Sequence, residues 1–140
     1  MHDISSCCLR ALERWDNIAR LTFSVSPELS KLDALFPDRL ALILAPNGES
    51  TVLLTEDTLP HLPSASAPQI LLGLTLLRLS GVCMRASETG AGKVCAELSK
   101  SGIAICAISL SDLGLALAIP TADADRAIAL IEDILPSSPL

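Results

Sequence analysis

The run from Ile70 to Leu135 constrains this chain most, because its residue pattern dictates a strand, a turn, a helix, two strands and a second helix in that order. Ile70 to Leu79 is almost unbroken aliphatic sequence, as expected of a strand covered on both faces or lying at an oligomer interface. Ser87 to Ser101 reads as a helix, with Ala91, Val94, Cys95 and Leu98 on one stripe and Gly102 just past its end. The return strand is Ile103 to Leu110, with Ile103, Ile105 and Ala107 facing inward and Ala104, Cys106 and Ile108 on the other face. A turn at Ser111-Asp112 leads into a strand over Leu113 to Ile119. Pro120-Thr121 opens the last helix, where Asp123 and Asp125 complement the dipole, Ala124, Ala127, Ile128, Ile131 and Leu135 make the buried stripe, and Pro136 stops it.

The N-terminal half repeats part of this order. Ile4, Cys8, Leu12 and Trp15 recur at helical spacing, which predicts a short amphipathic helix or, alternatively, a frayed terminus. Ile18 to Val25 predicts a strand, and Ser26-Pro27-Glu28 starts a helix that runs to Phe36 with Leu29, Leu32, Leu35 and Phe36 inward and Pro37 as its stop. Arg39 to Ala45 and Ser50 to Thr55 are two β-rich runs around the hairpin turn Pro46-Asn47-Gly48-Glu49. Asp57 to Leu62 is too short and proline-bounded for a full helix. Pro63 to Pro68 is the convincing linker, which divides the chain into residues 1–62, a linker at 63–69, and residues 70–140. Both halves begin strand, helix, strand, strand, and the first lacks most of its final helix. Split β-α-β units of this kind build an α+β, ferredoxin-like βαββαβ arrangement, with an antiparallel sheet and helices on one face. Such sheets leave edges and a face partly uncovered, so a dimer is expected.

Composition removes several classes of function. The ten Lys and Arg residues are scattered through a chain of net charge −6, which lacks the electrostatic footprint of a nucleic-acid binder. The apolar runs fall short of the roughly 20 residues that span a membrane, and Asp3, Arg10, Glu13 and Arg14 break up any signal-peptide hydrophobic region. Five cysteines (Cys7, Cys8, Cys83, Cys95 and Cys106), without a C-x-x-C pair, suggest neither a disulfide framework nor a zinc site, and fit a reducing cytoplasm. Cys95 and Cys106 read as small buried hydrophobes. With His2 and His61 the only histidines, histidine base chemistry and His-rich metal coordination lose their main residue type, and nothing implies a cofactor.

One candidate for function remains, the glycine-rich helix entry Ser87-Glu88-Thr89-Gly90-Ala91-Gly92. Glycine lets backbone come close to a ligand, and the first turn of a helix offers unpaired N–H groups and a positive dipole end, a cradle for a small anion. The plain alternative is a tight turn, since the spacing is neither that of a phosphate-binding loop nor that of a dinucleotide fingerprint. Glu88 reads equally as a helix N-terminal carboxylate, and Lys93, four residues before Glu97, as part of a solvated face.

The C-terminal half resembles an ACT domain, a small-molecule-binding regulatory module, and most closely the type found in aspartate kinases. The resemblance is carried by Glu88 to Val94 at the helix entry, Leu98 to Ile105 at the crossing to the second strand, Ala107-Ile108-Ser109, and Ile119 to Ala127. The N-terminal half resembles, in element order and the Pro46 to Glu49 hairpin, the degenerate first repeat of short free-standing proteins that pair two ACT units. The resemblance implies an amino-acid or similar zwitterionic effector held by Ser87, Glu88, Thr89, Gly90, Ala91 and Gly92 in the loop and by Ile103, Ala104 and Ile105 in the second strand. Asp112 matches an acidic position that follows the second strand in arginine sensors of this kind. Thr89 stands where the family places its loop glycine, and Ala104 where it often places a polar residue. The reading that follows is a sensor without catalysis of its own, dimeric, acting beside a metabolic enzyme. The alternative is a dimerisation or interaction module with a vestigial pocket.

Overall fold

Strand β1, Leu9–Phe23, opens the part of the chain that the computed structural model describes, which comprises residues 9–62, 68–81, 90–111 and 114–135. It is followed by α1 (Leu29–Leu35), β2 (Ala41–Leu44), β3 (Ser50–Thr55), a 3₁₀ turn at Glu56–Thr58, and β4 (Gln69–Gly81). Then come α2 (Ala91–Lys100), β5 (Ala107–Ser111), β6 (Gly114–Pro120), a second 3₁₀ turn at Thr121–Asp123, and α3 (Ala124–Ile134). The strands make one six-stranded sheet in the order β2-β3-β1-β4-β6-β5, with β1–β3, β2–β3 and β5–β6 antiparallel.

Contacts group the chain differently from a cut at the 63–69 linker: Asp16–Leu74 form one unit, and Met1–Trp15 join Thr75–Leu140 in the other. The physical reason is visible at Leu9, which is buried in one cluster with Leu77, Leu79, Leu115 and Leu117, all from the C-terminal half. The helix expected over Ile4 to Trp15 is likewise corrected, because Leu9 to Trp15 belong to β1, while Ile4 to Cys8 lie outside the described residues. Leu12 and Trp15, the members of the expected stripe that the structure describes, are both half-buried on an extended strand, where a spacing of three imitates a helical one. Trp15 carries the Arg78 guanidinium 5.1 Å from its ring centroid, a cation–π contact that half-covers the ring.

In the unit containing the C-terminal half, Ala91, Val94 and Leu98 of α2 and Ala124, Ala127 and Ile131 of α3 share a core with Leu115, Leu117 and Ile119 of β6. Leu135 is buried as expected, and Ile128 is half-buried against the same core. Gly102 ends α2 at φ +76°. Its N–H bonds the Ser99 carbonyl at 3.0 Å and the Ile103 N–H bonds the Leu98 carbonyl at 2.9 Å, the paired closure that a left-handed glycine permits. This cap uses Ile103, so the strand expected from Ile103 begins only at Ala107; residues 103–106 are irregular, and the Cys106 N–H joins the Ala118 carbonyl at 2.7 Å. Arg126 of α3 donates to the Ser101 carbonyl at 2.7 Å and to Asp123 at 3.0 Å, placing a cation at the negative end of α2.

In the unit formed by Asp16–Leu74, Ala19, Leu21 and Phe23 of β1 and Val52 and Leu54 of β3 pack on Leu32 and Phe36. The Pro46 to Glu49 hairpin closes through the Gly48 N–H to the Ala45 carbonyl at 3.1 Å, with Gly48 at φ +87° and the Glu49 N–H on the Asn47 side chain. Two expectations fail at the ends of elements. Leu29 is 56% exposed because only Leu32, Leu35 and Phe36 of the α1 stripe reach the core, and Val25 is 82% exposed because β1 stops at Phe23. β4 is covered only in its second part: Leu74, Thr75, Leu76, Leu77 and Leu79 are buried, while Gln69 to Gly73 are exposed.

The expectation that Cys95 and Cys106 are fully buried is also corrected, since both are half-buried free thiols. Burial pushes the Cys95 thiol above its usual range, which lowers its thiolate fraction at neutral pH. Alkylation of the native protein at Cys95 should therefore be slower than that of a small free thiol and should accelerate with alkaline pH; mass spectrometry of partially modified protein measures it. A sharper test lies at Gly114, where φ is +136° and an added β-carbon would collide with the Leu79 carbonyl oxygen. Gly114→Ala should lose on the order of 2–3 kcal/mol in urea unfolding. Gly48→Ala, at φ +87° with open space around it, should lose only about 1 kcal/mol.

Candidate functional site

The glycine-rich entry is built by the start of α2. Gly90 is its N-cap, and the Gly90 carbonyl accepts the first intrahelical bond, from the Val94 N–H at 3.0 Å. The N–H groups of Ala91, Gly92 and Lys93 precede that bond and have no carbonyl behind them within the helix. No acidic side chain occupies the first turn, so the positive end of the dipole is not offset there by the helix itself. Gly90 and Ala91 are buried, Gly92 is half-buried and Lys93 is exposed, which leaves the Gly92 edge as the approach to these donors. Ser87, Glu88 and Thr89 lie outside the described residues.

The other expected site residues separate into two groups. Ile103 is bonded to the Leu98 carbonyl and so belongs to the far end of α2, a helix about 15 Å long at 1.5 Å per residue. The side chains of Ile103 and Ile105 pack into or against the core, and Ala104 is exposed. Ile103 is thus held at the C-terminal end of α2, while Gly90, Ala91 and Gly92 form its N-terminal end. The β5–β6 hairpin does turn toward the right end of the sheet: Ser111 pairs with Gly114, and Gly114 packs on the Leu79 carbonyl and Ser80, at the end of β4 from which the chain proceeds to Gly90. Asp112, between Ser111 and Gly114 in sequence, lies outside the described residues.

Within the Asp16–Leu74 unit a second concavity, of about 450 Å³, is lined by Asp16, Asn17, Thr55, Glu56 and Asp57. The β1–β3 register, Ile18 opposite Thr55, brings Asp16 to the side of Glu56 and Asp57, and Asn17 holds φ +56°, a left-handed conformation that asparagine tolerates better than most side chains. The Glu56 carboxylate accepts the Gly73 N–H at 2.8 Å, and the Thr58 hydroxyl donates to the Thr55 carbonyl at 2.9 Å. Its lining repels a carboxylate and suits a cationic group. Sequence reading missed it; the signal that could have found it is Asp16-Asn17 just before the apolar run from Ile18, with Glu56-Asp57 directly after β3. Among the described residues no group of three or more His, Cys, Asp or Glu side chains is arranged to hold a metal ion, and no helix is long and apolar enough to cross a membrane.

No model of a protein family matches the sequence, and no curated protein matches it either. Solved structures do match. The chain is similar to aspartate kinase from Clostridium acetobutylicum, with 14% identity and a TM-score of 0.72 over 89% of this chain and 34% of that one. It is similar to aspartokinase III from E. coli, with 16% identity and a TM-score of 0.69 over 92% of this chain and 34% of that one. Against the regulatory subunit of aspartate kinase from Thermus flavus the identity is 12% and the TM-score 0.68, over 91% of this chain and 98% of that one. The chain thus spans about a third of each whole kinase and nearly all of the separate regulatory subunit. Among the described residues the chain has six strands in one sheet and three α-helices, a mixed α/β fold similar to that of aspartate kinase regulatory domains.

Proposed function

We propose that this chain is a regulatory module of the ACT type that binds a small amino-acid-like effector and has no catalytic activity of its own. The observation that carries the reading is the extent of the likeness: it takes in 91% of this chain and 98% of a separate aspartate kinase regulatory subunit. In this reading the two units are ferredoxin-like repeats, the Asp16–Leu74 one with α1 as its single α-helix, and its sequence is inserted between Met1–Trp15 and Thr75–Leu140 of the other. The effector's carboxylate is held by the first-turn N–H groups of α2 at Ala91 and Gly92, with Ser87, Glu88, Thr89 and Gly90 shaping the approach. Asp112 takes the ammonium group or a basic side chain, a role supported by the position of Ser111 and Gly114 at the Leu79 end of β4. Ile103 caps the C-terminal end of α2, and the effector side of the second strand is left to Ala104 and Ile105. The chain works as a homodimer, which would cover Ile108 and Leu110 on the edge strand β5 and Ile70, Leu71 and Leu72 on β4, all more than a third exposed, and it acts on a metabolic enzyme in the cytoplasm.

A second reading, an interaction module with a vestigial pocket, is favoured by the same exposed aliphatic residues. Ligand binding separates the two, and light scattering tests the dimer that both share. A thermal-shift screen against the twenty amino acids should show stabilisation by one or a few chemically related ones, about 2.7 kcal/mol at 100 times the dissociation constant; no stabilisation by any of them, with tight self-association, supports the interaction module instead. Light scattering at micromolar concentration should report a dimer, and a clean 14.7 kDa species would remove the dimer. Gly92→Asp, which places a carboxylate at the donor edge yet suits a helix N-terminus for folding, should weaken binding of the screened amino acid by roughly five- to a hundredfold in calorimetry. Lys93→Ala, on the exposed face, should bind as the parent does. A folded Gly92→Asp protein with parental affinity would mean that the entry is only a turn.

A further inference from the structure

No further inference is drawn: the strongest candidate, the concavity at the end of β3 where Asp16, Glu56 and Asp57 meet Asn17 and Thr55, is an acidic cluster, and nothing in the structure shows what it would hold.

Discussion

The unit that carries the glycine-rich entry depends on one close approach. Backbone at Gly114 meets the carbonyl of Leu79 with no room for a β-carbon between them, and this contact seats β6 on β4. β5 then hangs on β6 through the register from Ala107–Ala118 to Ser111–Gly114, so its place is set by its neighbour rather than by its own burial. Once β6 is seated, Leu115, Leu117 and Ile119 present one apolar surface to α2 and α3, and the helices close over it. Magnitudes favour this ordering of causes. Each fully buried aliphatic side chain contributes about 1.5–3 kcal/mol, whereas an exposed ion pair such as Arg14–Asp125, whose aspartate is 93% exposed, contributes about 0–1 kcal/mol.

The two ends of α2 are treated differently. Its C-terminus is closed by Gly102, Ile103 and the Arg126 guanidinium, which satisfy the last carbonyls and fix the helix against α3. Its N-terminus has a glycine cap without a side chain and a first turn without a carboxylate. A helix anchored at one end and chemically open at the other is a suitable mount for an anionic group, because binding there adds bonds without breaking any that the fold needs.

Where local chemistry decides the structure, the sequence was readable. Ser50 to Thr55, the Pro46 to Glu49 turn, the Gly102 stop and the α3 stripe all rest on neighbours within a few residues, and all appear as read. Leu9 to Trp15 were misread because Leu12 and Trp15 continue the helical spacing of Ile4 and Cys8, while the sheet neighbour of β1 on that side, β4, is distant in sequence. The grouping of Asp16–Leu74 inside the remaining chain was hidden for the same reason, since a proline-rich linker marks a break in composition and says nothing about which distant strands pair. At the site, the glycines announced the open helix end, but the choice of Ile103 as a cap residue rather than a strand residue depends on the hydrogen bond to Leu98, which no periodicity reveals.

β4 carries no charged side chain from Gln69 to Leu77, and its partners in the sheet, β1 and β6, are each supplied by remote stretches of chain. Long-range pairing of this sort closes late in folding, so a nascent or refolding molecule displays an uncharged, aliphatic, β-prone segment before anything is there to cover it. Arg78 is the first charge to interrupt the run, and it sits past the residues that the finished structure leaves exposed. Recovery of this protein from denaturant is consequently a race between intramolecular closure and association of one β4 with another, and dilution favours the first.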